Sequence, residues 1–198
     1  MNHWRGGLPS PWPGPPLGNR LLVSVNGYNI QDIGNASKPD TPENEYRYWH
    51  QYYLHGERGR AGLAQNRHAF CRLLWSLWSP TWKFDNDTFA RSAAAFDNPD
   101  FVDVVVHSYR HRFGLVGGDS RFDEMEHRLS AKPDITVPSI TLDGAVDGVL
   151  PTGDRQAGLR RLSGRHEHRV VDNVGHNLPQ EAPEAFSRSI LDIHSWTV

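Results

Sequence analysis

Two short stretches of the chain carry residue types that do acid–base chemistry. "DGAVDGVLP" sets Asp147 just after the apolar run "SITLDG", and "VGHNLPQEAPEAF" sets His176 just after the run "HRVVDNVG". The two residues are 29 positions apart. A carboxylate that meets an imidazole fixes its tautomer and supports the imidazolium, and the imidazole then moves protons. Each residue alone has a plainer reading. An aspartate near glycines is a turn residue or a cap, and a histidine at a strand end satisfies backbone groups. Only their joint placement, each past the end of a strand, points to chemistry.

Those placements depend on the elements around them. "RLLVSVNGYNI" reads as a buried strand, Leu21 to Val25, stopped by Asn26-Gly27. Residues 34–44 read as a loop, and helices are expected from 45 to about 130. "ENEYRYWHQYYLHGERGRAGL" has helical period; "LAQNRHAFCRLLWSLWS" follows and is stopped by Pro80. "DNDTFARSAAAF" opens on an N-cap, Asp85 or Asp87. "NPDFVDVVVHSYRHRFG" opens at Asn98-Pro99 and ends at Gly114, and "RFDEMEHRLSA" is a short polar helix. The pattern then switches. A strand is expected at 137–144, a short helix at 155–162, a strand at 168–176 and a closing helix over "APEAFSRSILDIHSW". In that last helix Ala185, Phe186, Ile190 and Ile193 fall near one face. Strand, helical insert, strand, helix, strand, helix is the alternation of a parallel α/β sheet. Ligand chemistry in such sheets gathers at the carboxyl ends of the strands, where Asp147 and His176 fall.

Composition removes several function classes. The 198 residues are 37% hydrophobic and 22% charged, with a formal net charge of −2. This balance makes no electrostatic case for nucleic acid or for an anionic membrane surface. No run approaches a membrane span, and the first residues lack the apolar core of a signal peptide. Cys71 is the single cysteine, so no intramolecular disulfide forms; in "AFCRLLWSLW" it reads as a buried structural thiol. A cytoplasmic protein is the default expectation. Residues 1–19 hold Pro9, Pro11, Pro13, Pro15 and Pro16 and read as a disordered, proline-rich leader.

Other histidines and aromatics have structural readings. His107 and His111 stand four apart on one helix, but Ser-Tyr-Arg lies between them and no third ligand is in view. His166 and His168 flank Glu167, share a strand face and read as solvated. No metal and no cofactor are expected. Tyr46, Tyr48, Trp49, Tyr52 and Tyr53 crowd one helix and at helical spacing read as core or as an interface between layers; Trp75, Trp78 and Trp82 take the same reading.

"GAVDGVLP" and "GHNLPQEAPEAF" resemble the last two catalytic segments of α/β-hydrolases, in the branch of the epoxide hydrolases and haloalkane dehalogenases. In that family the acid follows a strand with a proline four residues on, as Asp147 and Pro151 do here. The base follows the last strand as Gly-His, with a Glu/Pro-rich helix start, matching Gly175-His176 and Glu181-Ala182-Pro183-Glu184. The order acid then histidine also agrees. The resemblance covers roughly residues 21–193. It implies a partial α/β-hydrolase fold: the last three parallel strands with flanking helices and a long all-helical cap insertion. Residues 20–40 and 134–198 would be core and 41–133 the cap.

The resemblance also implies roles. Asp147 would orient His176, the base, and Tyr109 in "VVHSYRHRFG" would be a cap phenol donating to a leaving or epoxide oxygen. No nucleophile is recognised: G-x-S-x-G is absent, and "GGDSR" around Ser120 lacks the closing glycine. "NHWRGG" echoes a G-H-D-W-G-G elbow without its Asp, so a truncated or frame-disrupted reading frame that resumes near Arg20 is the expectation. Two readings follow. One is a hydrolase of a small, fairly apolar epoxide, halide or ester, inactive as this chain alone. The other is a non-catalytic remnant or binding module of the same fold. The strand at Leu21–Val25 would leave an open edge, through which self-association is expected.

Overall fold

The computed structural model describes residues 20–31, 33–150 and 156–197; the proline-rich leader and Pro151 lie outside them. Three strands, β1 (Leu22–Val25), β2 (Ser139–Gly144) and β3 (His166–Val171), form one parallel sheet in the order β1-β2-β3. Val23 pairs with Ile140 and Val25 with Leu142; Thr141 pairs with His168 and Asp143 with Val170. The central strand β2 is buried at every position. Its alternation sends Ile140 and Leu142 to one face and Ser139, Thr141 and Asp143 to the other. The apolar face meets Val174, Leu178 and Ile193, with Val23, Val25, Phe186 and Trp196 packed around them. Side chains on the polar face are fully buried as well. Among the described residues, β1 pairs on one side only.

Between β1 and β2 the chain is helical: α1 (Pro42–Arg47), α2 (Trp49–Tyr53), α3 (Glu57–Trp78), α4 (Asn86–Ala93), α5 (Phe101–Arg112) and α6 (Asp123–Ser130). α7 (Gln156–Leu159) crosses from β2 to β3, and α8 (Leu178–Glu181) and α9 (Pro183–His194) follow β3. Two aromatic-rich cores fill the helical segment. Leu54, Leu63 and Val106 form one; Trp75, Phe89 and Ala93 form the other. Of the aromatic residues at helical spacing, Tyr53, Trp75 and Trp82 pack in these cores, whereas Tyr46 is exposed.

Several element boundaries differ from the sequence reading, each for a packing reason. The first expected helix is three: Tyr48 separates α1 from α2, and the chain breaks again at Leu54–Gly56, where Gly56 is extended and caps α3. A Cβ on Gly59 would lie 1.8 Å from the Tyr53 carbonyl oxygen, so α3 crosses α2 at backbone contact. α5 begins at Phe101, not at Asn98, because the Asn98 side chain accepts the Asp100 N–H at 2.9 Å in a local turn. Asp85, not Asp87, caps α4, accepting the Thr88 N–H at 2.7 Å. β3 starts earlier than expected and ends at Val171, because Asn173 turns the chain at φ 58°. On α9, Ile190 is exposed, and Ser189 holds the buried position instead, where its hydroxyl accepts from Arg169 at 2.9 Å.

Candidate active site

Asp147 sits in the turn after β2. The turn is pinned to the neighbouring strand's exit: Ala145 N–H donates to Val171 O, and Val146 N–H to Val174 O, each at 3.0 Å. Asp147 Oδ1 accepts the N–H groups of Val149 (2.7 Å) and Leu150 (2.9 Å). Its other oxygen, Oδ2, lies 2.9 Å from His176 Nδ1. The structure therefore brings together the two residues that the sequence singles out. Burial pushes the Asp147 carboxyl up, but the His176 hydrogen bond and charge and the two backbone donors outweigh it, and the net shift is downward. A carboxylate held ionised in this way keeps a proton on Nδ1 and presents Nε2 as the basic nitrogen.

His176 is held from three sides. Its N–H donates to Trp78 O at 3.1 Å, and its ring stands edge-on to the Trp78 ring at 5.3 Å. Asn26, in the left-handed region (φ 68°) just after β1, puts its side-chain Nδ2 3.5 Å from Nδ1; with the Nδ1 proton directed at Asp147 this is a neighbour contact and not a hydrogen bond. All three strand ends thus converge on one imidazole: Asn26 from β1, Asp147 from β2, His176 from β3. Among the described residues Nε2 has no hydrogen-bond partner. It belongs to a residue that lines an open cleft of about 980 Å³ between the sheet edge and the helical segment.

Tyr109 lines the same cleft, on α5. Burial raises its phenol pKa, so it stays a neutral donor. It packs edge-on against His50 at 5.5 Å, and the Arg112 guanidinium lies over its ring at 5.2 Å. His50 is the residue that sequence reasoning missed. It is 2% exposed, its Nδ1 makes no hydrogen bond of good geometry, and its ring meets Trp78 at 5.1 Å. Burial lowers its pKa to about 4; an approach to the Arg47 carbonyl offsets this only in part, and the charges of His176 and Arg112 add to it. In "YRYWHQYY" nothing local marks His50 as different from ten other histidines.

The remaining candidates are placed elsewhere. His107 and His111 stack on each other at 6.1 Å, and no group of three metal-ligating side chains occurs among the described residues. Cys71 is half-buried against the Trp75 core, and burial pushes its thiol up to about 11. His166 and His168 share a face as expected, but they are half-buried and hydrogen-bonded, not freely solvated. His166 Nε2 meets Thr141 Oγ1, and His168 Nε2 meets Asp143 Oδ2, each at 2.9 Å. The buried polar face of β2 captures both rings. No helix among the described residues is long and apolar enough to cross a membrane.

Solved structures share this fold. The chain is similar to a "putative epoxide hydrolase" from Klebsiella pneumoniae, at 42% identity and a TM-score of 0.84, over 88% of this chain and 58% of that one. It is also similar to the epoxide hydrolase CorEH (16% identity, TM-score 0.63, 88% and 58% covered). A third match is a "putative alpha/beta hydrolase" from Nostoc sp. PCC 7120 (18% identity, TM-score 0.65, 88% and 57% covered). At their low identity the latter two show the fold alone. The chain spans about 58% of the length of the Klebsiella protein. No family model and no curated protein matches it. The chain has a partial α/β-hydrolase fold, its last three parallel strands with their flanking helices and a long helical insertion, and it resembles the epoxide hydrolase branch.

Proposed function

We propose that these residues form the acid–base half of a hydrolase that acts on a small, fairly apolar substrate: an epoxide, a halide or an ester. The observation that carries this reading is the 2.9 Å contact between Asp147 Oδ2 and His176 Nδ1 at the mouth of a cleft. Asp147 holds the Nδ1–H tautomer, and His176 Nε2 takes a proton. With an aspartate nucleophile, that proton comes from the water that attacks an alkyl-enzyme ester. With a serine nucleophile, it comes from the hydroxyl that attacks an ester carbonyl. Tyr109 donates to the oxygen or halide that leaves, and His50, neutral above about pH 4, stands beside it as a second donor. The helical segment acts as the cap over the cleft.

The nucleophile comes from outside these residues, so turnover by the 198-residue chain alone is not expected. The native protein tests this. Its intact mass is measured, and hydrolysis of epoxide, haloalkane and p-nitrophenyl ester panels is followed beside His176→Gln. Hydrolysis that His176→Gln abolishes supports the reading. A mass matching 22.4 kDa together with no hydrolysis favours the binding-module alternative, and hydrolysis indifferent to His176 sinks the proposed role.

A further inference from the structure

The carboxyl-terminal end of α3 makes contacts that an ordinary helix end does not need. The last carbonyls of a helix have no partner within it. Here Trp78 O accepts two N–H groups, from Gly148 at 3.0 Å and from His176 at 3.1 Å. One of these donors follows Asp147 and the other belongs to His176 itself. Both dyad loops hang from a single carbonyl oxygen of the helical segment.

The next residue extends the attachment. Ser79, fully buried, donates its hydroxyl to Glu181 Oε1 at 2.6 Å and accepts from Asn177 N–H (3.1 Å) and Asn177 Nδ2 (2.9 Å). Glu181 in turn accepts Gly175 N–H on Oε2 (2.9 Å) and Asn177 N–H on Oε1 (3.0 Å). Three consecutive amides are therefore committed: Gly175 to Glu181, His176 to Trp78, Asn177 to Ser79 and Glu181. The peptide groups that set the His176 side-chain direction are all fixed by the end of α3 and by one carboxylate.

The glycines beside the dyad record the same docking. A Cβ on Gly175 would lie 2.5 Å from Ser79 Cα, and one on Gly148 would lie 2.0 Å from Leu77 O. Real Cβ atoms do not approach backbone so closely, so both loops need glycine where α3 ends against them.

We propose that Ser79 and Glu181 are positioning residues for His176, forming a clamp through which the end of α3 sets the imidazole against Asp147. This rests on the reading of Asp147–His176 as the acid–base pair. Displacement of the α3 end moves both members of that pair together, so the helical segment controls the dyad as well as covering it. Glu181→Gln replaces one acceptor oxygen with an NH2 that opposes an N–H donor. Ser79→Ala removes the hydroxyl that joins Glu181 to Asn177.

Nitrogen-15 and proton NMR of the imidazoles in the full chain tests the clamp. In the native sequence His176 shows one tautomer, with a resolved Nδ1–H proton assigned by its loss in His176→Gln. In Glu181→Gln and in Ser79→Ala that proton is lost and the two ring nitrogens average between tautomers. The His168 signal and the exposed-site control Glu184→Gln stay unchanged. Variants that still melt cooperatively and keep the native His176 signal overturn the proposal, as does equal broadening of His168, which marks a purely structural role. Should Glu181→Gln fail to fold, Ser79→Ala decides alone. The dyad reading fails separately, by an Nδ1–H signal that is missing from the native chain or unmoved by Asp147→Asn.

Discussion

Two Asp–His pairs lie within this small sheet, and their local measures match. Asp147–His176 and Asp143–His168 are each 2.9 Å long, and in each the aspartate side chain is fully buried and the histidine side chain 21% exposed. Their settings differ. Asp143 and His168 sit inside β2 and β3, on side chains that alternation points to one face. Asp147 and His176 sit in turns beyond the carboxyl ends of those strands. His168 spends Nε2 on its aspartate, whereas His176 spends Nδ1 and leaves Nε2 on the cleft side. An Asp–His contact is therefore not by itself a site. Attachment through Nδ1, on a turn that opens to a cavity, is what sets the Asp147–His176 pair apart.

The widest separation between the pairs is in rate. In the polypeptide that supplies the nucleophile, Asp147→Asn is expected to lower kcat about 10⁴-fold, as loss of the tautomer-fixing acid does in a Ser-His-Asp triad. Asp143→Asn is expected to leave the rate per folded molecule within about two-fold, because Asp143 touches no reacting group. Steady-state kinetics normalised to folded protein reads both; equal losses would erase the distinction.

Stability should rank the pairs the other way. Asp143→Ala removes the oxygen that His168 meets on the polar face of β2, and a partner left unsatisfied in this way costs about 2 kcal/mol. Asp147→Asn keeps an oxygen for the Val149 and Leu150 N–H groups and is expected to cost about 1 kcal/mol. Urea melts measure both.

The cleft also predicts acid lability. His50 has its pKa lowered to about 4, against 6.5 for a free imidazole. Above pH 6.5 it is neutral folded or unfolded and has no effect. Between 6.5 and 4 the unfolded chain takes up a proton that the folded chain refuses, so stability falls as pH falls, by about 3 kcal/mol at the lower limit. His50→Phe should flatten this part of the pH–stability curve. Asp147, shifted downward, contributes stability that is lost only at lower pH, as its folded-state carboxyl titrates.

Gly175→Ala should cost about 2 kcal/mol through its overlap with Ser79, in the range of other overpacked sites. The same change at Gly34, where a Cβ meets nothing within 4 Å, is expected to be near neutral. Asn26→Ala falls between them: at φ 68° the backbone disfavours an alanine, and the change is expected to cost about 1 kcal/mol. Calorimetry on the three variants orders them.

Much of this architecture is legible in the chain itself. The apolar runs ending at Val25 and Gly144 announce β1 and β2, and the late strand–helix alternation announces a parallel sheet. Asp85 or Asp87 announces the start of α4, and the structure uses Asp85. Asp147 and His176 are recognisable because each stands in a turn just past an apolar run. These signals are local, since backbone propensity and hydrophobic period act over a few residues. They fail where a contact is remote. Ser79 meets Asn177 across 98 positions, and Thr141 meets His166 across 25. The spacing of residues along the chain holds no trace of either.

The sequence by itself determined the strand–helix order and the two residues able to form an acid–base pair, because both follow from short-range pattern. Tertiary structure alone decided that His168 meets Asp143, that His50 is buried beside the cleft, and that glycine must flank the dyad. Strand register and the docking of α3 fix all three, and these arise from packing between segments whose separation along the chain leaves no local signature.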